Sequence, residues 1–355
     1  MHESGCEMLV AALRDLQWRR RRFLIAVLGT SLVFSMTLVL AGLSAAFVNE
    51  VDRTIATTGA DEWAIAVGAT GPFNSSTVLP AAALAAARRT AGVRAADPFV
   101  AIGATIPGAT PRRVTMLGAV PGGVGSPKVD EGRAPSRSGE IAVGSRLGKD
   151  IGDSVRMGGT TFRVVGKVHG SALYGGMPNV FLTLHDVEAL TFGGAPLFTS
   201  IALRGDPRAP IAGARVVTIA DAKKDLLLSL GSGRQTINYI AVLLALVAAC
   251  IVGSVIYLSA LERVRDFAVF KATGTGTGAL LGGLAVQAMI VSLVAAAIGA
   301  VLAMILAPNF PMPAEIPTTA FVVLPVVAVV VGALASLAGL RRAVTVSPAL
   351  AFGGA

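Results

Sequence analysis

The chain has very few of the side chains that usually carry chemistry. Its 355 residues include only two cysteines and three histidines, and aromatic residues make up 5%. Cys250 lies inside an uncharged apolar stretch that is predicted below to span a membrane, and Cys6 is predicted to lie on the cytoplasmic side, so the two are not expected to form a disulfide. The histidines, His2, His169 and His185, do not form the His-Glu-x-x-His spacing of a helical metal site. We therefore expect no metal, no cofactor and no disulfide on this chain.

Motifs of nucleotide and ester chemistry are also absent. The sequence has no Gly-x-x-x-x-Gly-Lys-Ser/Thr phosphate loop and no Gly-x-Ser-x-Gly nucleophile elbow. His185-Asp186-x-Glu188 offers metal-ligand atoms, but at the start of a predicted helix its acids fit helix capping and a solvated face better. The net charge of +9 comes without the aromatic-studded basic stripe of a nucleic-acid binder. The chain is predicted not to be an enzyme and not to bind nucleic acid.

Charge is missing from four long stretches. Residues 23–47, 237–261, 279–307 and 320–340 contain no Asp, Glu, Lys, Arg or His. A helix needs about 20 residues to cross the ~30 Å hydrocarbon core of a bilayer, and each stretch is long enough. The first exceeds the apolar part of a signal peptide and is closed by no small-residue cleavage site. We predict an α-helical membrane protein with four transmembrane helices, one before and three after a polar insert, 48–235.

The short flanks of these stretches predict the orientation in the membrane. Cations precede the first stretch, occupy the loop between the second and third, and follow the fourth: Arg19–Arg22, then Arg263, Arg265 and Lys271, then Arg341 and Arg342. The loop 307–319 contains Glu315 and no cation. Short loops rich in Lys and Arg stay in the cytoplasm, whereas long domains translocate largely regardless of charge. Both termini are predicted to be cytoplasmic, with the insert outside the cell membrane.

The N-terminal segment, 1–22, has a helical apolar pattern. Leu9, Ala12, Leu13 and Leu16 recur at steps of three and four residues, which predicts an amphipathic helix along the inner leaflet. The alternative is a ragged start of the first span. Translation starts at Met1 and at Met8 both fit the sequence.

The polar insert is predicted to be a large mixed α/β domain of one or two lobes. Strand patterns occupy 63–67, 92–105, 114–120, 139–143, 154–157, 161–168, 179–182, 203–206 and 216–218. Helix patterns occupy 80–89 and 184–190, and 220–232 leads to the second apolar stretch. Gly158-Gly159 predicts a hairpin turn, and 121–138 is predicted to be an exposed loop. The strands within 139–182 are expected to form a meander, and the last two strands to rejoin the first lobe.

The cationic loop between the second and third stretches predicts a short amphipathic helix. Val264, Phe267 and Ala268 recur at helical spacing, and Phe267 and Phe270 are apolar anchors ringed by charge. The charged residues are Glu262, Arg263, Arg265, Asp266 and Lys271. Such a surface is typical of protein docking. The alternative is an interfacial helix whose cations only reach the headgroups.

This loop resembles a known family. Glu262-Arg263-x-Arg265-Asp266-Phe267-Ala268-Val269-Phe270-Lys271-Ala272-x-Gly274 is similar to the Glu-Arg-x-x-Glu-Ile/Phe-Gly/Ala-Ile/Leu-Leu-Lys/Arg-Ala-x-Gly-Ala coupling segment of the MacB/FtsX-like ABC transporter permeases. The order of spans agrees, as do the tail Arg341-Arg342-Ala343 with Ser347-Pro348-Ala349-Leu350 and the phrase Gly139-Glu140-Ile141-Ala142-Val143. Asp266 and Thr275 depart from the family's usual Glu and Ala.

The resemblance implies a MacB-like periplasmic core domain at 48–235 and an FtsX-like permease domain at 236–355, with a coupling helix at 262–274 and a cytoplasmic tail at 341–355. The residues it assigns to ATPase coupling are Glu262, Arg263, Arg265, Asp266, Phe267, Phe270 and Lys271. It implies a type VII, mechanotransmission-type permease without a fused ATPase. ATP and Mg would be bound by a separate ATP-binding subunit, and a second copy of this chain would complete the assembly in a bacterial cell membrane.

Two functions fit this resemblance. The first is coupling of ATP hydrolysis to movement of the outer domain, for export or extraction of a peptide, lipid, lipoprotein or drug-like substrate. The alternative is an FtsX-like, non-transporting regulator that activates a cell-wall hydrolase or signals across the membrane through an extracytoplasmic protein partner. Because the spans lack ionisable residues and Gln287 is their one large amide away from the ends, they are expected to act as levers rather than to line a polar route.

Overall fold

The computed structural model describes residues 20–75, 77–108, 110–173, 176–229, 231–262, 277–309 and 314–345. The chain divides into two compact units, one formed by 1–46 and 235–355 and the other by 47–234. The described helices are α1 (Arg20–Thr58), α2 (Ala81–Arg89), α3 (Leu184–Phe192), α4 (Ile219–Ser229), α5 (Gly231–Glu262), α6 (Thr277–Leu306) and α7 (Thr318–Thr345). The described strands are β1 (Glu62–Ala66), β2 (Val93–Ile106), β3 (Arg112–Ala119), β4 (Glu131–Gly132), β5 (Glu140–Gly144), β6 (Ser154–Met157), β7 (Thr160–Val168), β8 (Ala172–Leu173), β9 (Met177–Thr183), β10 (Ser200–Gly205) and β11 (Ala214–Thr218).

Four helices are long and apolar enough to cross a membrane. They cover Phe23–Thr58, Gln235–Glu262, Gly282–Asn309 and Thr318–Ser336. The four predicted stretches therefore fall on helices. The first helix continues past Phe47 to Thr58 because Val51 and Ile55, one helical turn apart, are buried in the core of the second unit.

The four-helix unit is held by apolar side chains and by close approach at glycines. One buried cluster contains Phe23, Val252 and Leu284, and a second contains Phe34 and Leu324. A Cβ built on Gly299 would lie 2.8 Å from the Ser31 carbonyl oxygen. A Cβ built on Gly332 would lie 2.9 Å from the Met289 Cα. Both helix pairs thus approach at a position without a side chain, as small residues permit in membrane bundles.

The second unit is built on one mixed sheet. Its strand order is β11-β1-β10-β2-β3-β9-β5-β7-β4, with β6 paired to β7 and β8 paired to β9. The β3–β9 and β5–β7 pairs are parallel, and the other pairs are antiparallel. β10 and β11 return to β1 and β2, as the sequence predicts. The expected meander within 139–182 is wrong, because β5 lies between β9 and β7, and β9 continues the sheet from β3.

Both faces of the sheet are covered. Alternation along β1 sends Ala64 into one core, which also contains α2 and α3 residues, and Trp63 into the other. The Trp63 ring meets Phe99 edge to face, with centroids 4.8 Å apart. The Trp63 core also receives α1 through Val51 and α4 through Leu226. The end of α1 is therefore one of the layers of the second unit.

Candidate functional site

The structure describes only the first residue of the predicted coupling segment, 262–274. Glu262 is the last residue of α5. The other predicted docking residues, Arg263, Arg265, Asp266, Phe267, Phe270 and Lys271, lie outside the described residues. Their docking role stays a prediction.

A buried polar cluster links the end of α1 to the sheet of the second unit. Asn179 on β9 donates from Nδ2 to the Ser171 Oγ at 2.9 Å and to the Thr54 Oγ1 at 3.2 Å. Thr54 in turn donates to the Ala172 carbonyl oxygen at 3.1 Å. Thr54, Ser171 and Asn179 are each at most 1% exposed. Buried polar groups that are partnered in this way favour one arrangement over others of similar packing.

Two ion pairs lie on the same part of α1. Glu50, 6% exposed, pairs with Arg146, and the Nζ of Lys223 on α4 lies 2.7 Å from the Asp52 Oδ1. The strand residue Arg112 donates to the Arg146 and Leu147 carbonyl oxygens, which holds the Arg146 turn in place. If one partner of a largely buried ion pair moves away, the charge of the other is left buried without compensation. The Glu50–Arg146 contact therefore resists displacement of the helix.

The last carbonyls of α1 are also satisfied from the domain. Gly125 N–H donates to the Thr58 carbonyl oxygen at 2.9 Å, and Lys128 N–H donates to that of Thr57 at 3.0 Å. Helix ends otherwise leave such carbonyls without partners. We call α1 residues 47–58 together with these partners the helix joint. Sequence reasoning missed it, because Glu50, Asp52 and Thr54 follow an apolar stretch and look like the polar end of a span.

A second polar feature is an open recess of about 530 Å³. It is lined by Asp61, Glu62, Gly92, Arg94, Gly205, Asp206 and Arg208. The pKa of Glu62 is raised, first by burial and then by the charges of Asp206 and Asp61. Arg94 lies 3.4 Å from Asp61, so opposite charges in the recess already face one another. Because acidic and basic side chains both line the recess, its charge does not indicate one class of ligand.

Asp186, one of the acids that sequence reasoning considered for metal binding, has a structural role. Asp186 accepts hydrogen bonds from Ser138, from the Gly139 N–H at 3.2 Å and from Thr183 Oγ1 at 2.8 Å. The Thr183 side chain caps α3 by accepting from the Asp186 N–H. These contacts fit the capping interpretation. Across the described ranges, no group of three or more His, Cys, Asp or Glu side chains could hold a metal ion.

Several hydroxyl side chains are buried in the four-helix unit, although its predicted spans carry no charged residue. Thr30, Ser31, Ser35, Ser259, Ser292 and Ser336 are all at most 5% exposed, and Gln287 is 2% exposed. Ser31 donates to the Leu28 carbonyl oxygen in its own helix. These side chains face other helices, which is where polar groups in membrane bundles are tolerated.

Comparison with known proteins covers nearly the whole chain. The model of the MacB-like periplasmic core domain matches residues 23–217, and that of the FtsX-like permease C-terminal domain matches 238–348. Uncharacterized ABC transporter permeases of Mycobacterium bovis and Mycobacterium tuberculosis strain H37Rv are each 49% identical over 348 residues, covering 98% of this chain and 100% of each relative. The periplasmic region of MacB from Actinobacillus actinomycetemcomitans is 12% identical, with 49% of this chain and 96% of that chain covered and a TM-score of 0.34.

Proposed function

The chain belongs to the MacB/FtsX-like ABC transporter permeases, and we propose that it couples ATP hydrolysis on a separate ATP-binding subunit to movement of its outer domain. It is a multi-pass membrane protein by family and by its four apolar helices. In the orientation that the cationic flanks favour, both termini are cytoplasmic and 48–235 is extracytoplasmic. Two copies of the chain and two ATP-binding subunits form the assembly in this proposal.

The helix joint is the observation that carries the proposal. One unbroken helix, Arg20–Thr58, contains both the first candidate span and the buried side chains Thr54 and Ile55 of the outer-domain core. A helix with satisfied end carbonyls and a buried ion pair moves together with the residues that it contacts. A displacement of α1 would therefore be passed to β9 through Asn179 rather than lost in a flexible linker.

The sequence of the spans supports mechanical work rather than a polar channel. Charged side chains inside a membrane usually mark ion or substrate paths, and the four uncharged stretches 23–47, 237–261, 279–307 and 320–340 contain no Asp, Glu, Lys, Arg or His. The buried amide of Gln287 and the buried hydroxyls are too few and too small to replace the hydration shell of a charged solute. In this proposal the cargo, a peptide, lipid, lipoprotein or drug-like molecule, is captured at the outer domain or from the outer leaflet.

The docking step is assigned to the segment after Glu262. In the proposal, Phe267 and Phe270 enter an apolar pocket of the ATP-binding subunit, and the charged residues around them set the register. A carboxylate buried in such a pocket without a partner costs several kcal/mol, and every 1.4 kcal/mol is a tenfold change in affinity.

The test is purification of the full chain with its ATP-binding subunit and measurement of ATP hydrolysis. Phe267→Asp should remove co-purification and stimulated hydrolysis, whereas the apolar control Phe267→Leu should keep both. Thr54→Val preserves side-chain shape but removes the hydroxyl of the helix joint, so it should leave docking intact and reduce only the work done by the outer domain. Unchanged hydrolysis in the Phe267→Asp complex would refute the coupling assignment.

A further inference from the structure

One surface of the outer domain carries arginines that the helix joint and the recess do not use. β6 and β7 form a hairpin closed by Gly158 and Gly159, whose φ values are +55° and +85°. Val155 and Phe162, opposite each other on its inner face, are buried. The opposite face of the hairpin is open to solvent and carries Arg156 and Arg163.

The strand register places these arginines next to one another. Arg156 lies opposite Thr161, and Arg163 is two residues further along β7. Such diagonal neighbours are about 7–8 Å apart and share one face of the sheet. Arg163 donates its N–H to the Gly139 carbonyl oxygen at 2.8 Å, so the turn that contains exposed Arg137 lies beside β7. We call Arg137, Arg156 and Arg163 the arginine surface.

The nearest acids in sequence and register are already engaged. Glu140, beside Arg163 in the sheet, accepts two hydrogen bonds from the Arg133 guanidinium and one from the Arg137 N–H. Asp150 pairs with Lys167. Within 133–167 the sequence has seven Lys/Arg but only three Asp/Glu. Local charge is therefore strongly positive.

The arginine surface is distinguished by the diagonal placement of Arg156 and Arg163, since other exposed arginines that the structure describes, such as Arg89, Arg113 and Arg204, also form no ion pair. Ion pairs with carboxylates are formed by Arg88, Arg94, Arg146, Lys167 and Lys223. Among the residues that the structure describes, the side chains of Arg137, Arg156 and Arg163 make no ion pair or hydrogen bond. Like charges placed side by side on a sheet are unfavourable, so this arrangement does not serve the stability of the domain.

The chemistry of the surface selects its partner. The planar guanidinium binds carboxylates and phosphates with two parallel hydrogen bonds. Arginine is also enriched at protein interfaces, whereas lysine is depleted there, which favours the carboxylates of a protein. Peripheral membrane surfaces combine cations with inserted apolar side chains, and Ile151 is the exposed large hydrophobic residue of this segment. One exposed apolar side chain offers little to insert into a bilayer, so the surface fits a protein partner better than a membrane.

We propose that the arginine surface docks a carboxylate-rich segment of an extracytoplasmic partner protein. The proposal relies on the outward orientation of 48–235 that the proposed function includes. It does not depend on ATPase docking, which involves residues 262–274.

The test uses the full chain in nanodiscs of phosphatidylcholine, with a fluorescent decaglutamate peptide as the probe. Arg137→Gln/Arg156→Gln/Arg163→Gln should weaken peptide binding at least about tenfold and reduce its dependence on salt. The matched control neutralises three other exposed arginines, Arg89→Gln/Arg113→Gln/Arg204→Gln, and should weaken binding less than about threefold. The first triple variant should unfold at the same temperature as the parent chain or higher, because it removes repulsion.

Charge reversal gives a readout that does not depend on loss of binding. Arg156→Glu/Arg163→Glu should lose decaglutamate and gain a decalysine peptide. Co-purification with the ATP-binding subunit, measured on the same variants, should not change, so a failure here is distinguishable from a failure of the proposed function. Equal losses in both triple variants, no peptide binding by the parent chain, or displacement of the peptide by phosphatidylglycerol vesicles would each overturn the proposal.

Discussion

Gly299 offers the sharpest test of how the four-helix unit is packed. A Cβ built there would lie 2.8 Å from the Ser31 carbonyl oxygen, 2.9 Å from the Phe34 Cβ and 3.2 Å from the Ser35 nitrogen. Two of these three atoms belong to the α1 backbone, so they cannot turn away as a side chain would. Gly299→Ala should therefore force α1 and α6 apart. Overpacking by one methyl group in a filled site costs about 1–3 kcal/mol.

Gly283, in the same helix, is the matched control. A Cβ on Gly283 would meet no atom within 4 Å. Alanine favours a helix over glycine by about 1 kcal/mol at either position, so the difference between the two variants isolates the packing cost. We expect Gly299→Ala to be less stable than Gly283→Ala by about 1–3 kcal/mol, which is roughly a 5- to 150-fold change in the folded-to-unfolded ratio.

Reversible unfolding of the full chain in mixed micelles, titrated with a denaturing detergent, measures this difference. Gly332→Ala should behave like Gly299→Ala, because its Cβ would lie 2.9 Å from the Met289 Cα and 3.1 Å from the Ala288 carbonyl carbon. Equal stability of Gly299→Ala and Gly283→Ala would show that α1 and α6 do not approach as closely as described, and the packing argument would fail.

Three further predictions address orientation, pH and the spans. In intact cells, Ser126→Cys should react with a membrane-impermeant thiol reagent and Cys6 only after lysis; labelling of Cys6 from outside would reverse the topology. The hydrogen bonds from Arg133 lower the pKa of Glu140 from 4.5 to about 2, so their stabilisation is present at neutral pH and lost as the pH falls from about 4.5 towards 2. Arg133→Gln should make thermal unfolding less pH-dependent over that range, and an unchanged profile would contradict this assignment. Gln287→Leu should preserve ATPase coupling and reduce transport less than about tenfold, or ~1.4 kcal/mol; loss of all transport at normal expression would favour a polar route through the bundle.

The periodic parts of the chain were predictable from the sequence. Uncharged length alone identifies the four membrane helices, and alternation identifies strands such as β1 and β7 because one face of each strand is buried. Gly158-Gly159 predicts the hairpin because both residues adopt positive φ. These features depend on neighbours in sequence, which a single sequence displays.

The return of β10 and β11 to the first lobe was predicted, but other features that depend on distant pairing were not. The parallel pairing of β3 with β9 joins residues 115–119 to 179–183, and local alternation carries no information about such a partner. The helix joint is similar, because Thr54 meets Ser171 and Asn179 from far along the chain. Arg156 and Arg163 could be seen as cations in the sequence, but only the register shows that they are neighbours.

The placement of β9 also decides which experiments on the outer domain are informative. β9 lies between β3 and β5 in the sheet, and its Asn179 supports the helix joint, so deletion of 139–182 would expose the β3 edge and remove the contacts of Thr54 at once. Loss of function after such a deletion would say nothing about mechanism, since an exposed edge and an opened core cause misfolding by themselves. Substitutions that keep the shape of the core, such as Thr54→Val, leave the sheet intact and change only the hydrogen bonds through which α1 holds β9. Coupling between the first span and the outer domain is therefore to be tested at the helix joint rather than by removing strands.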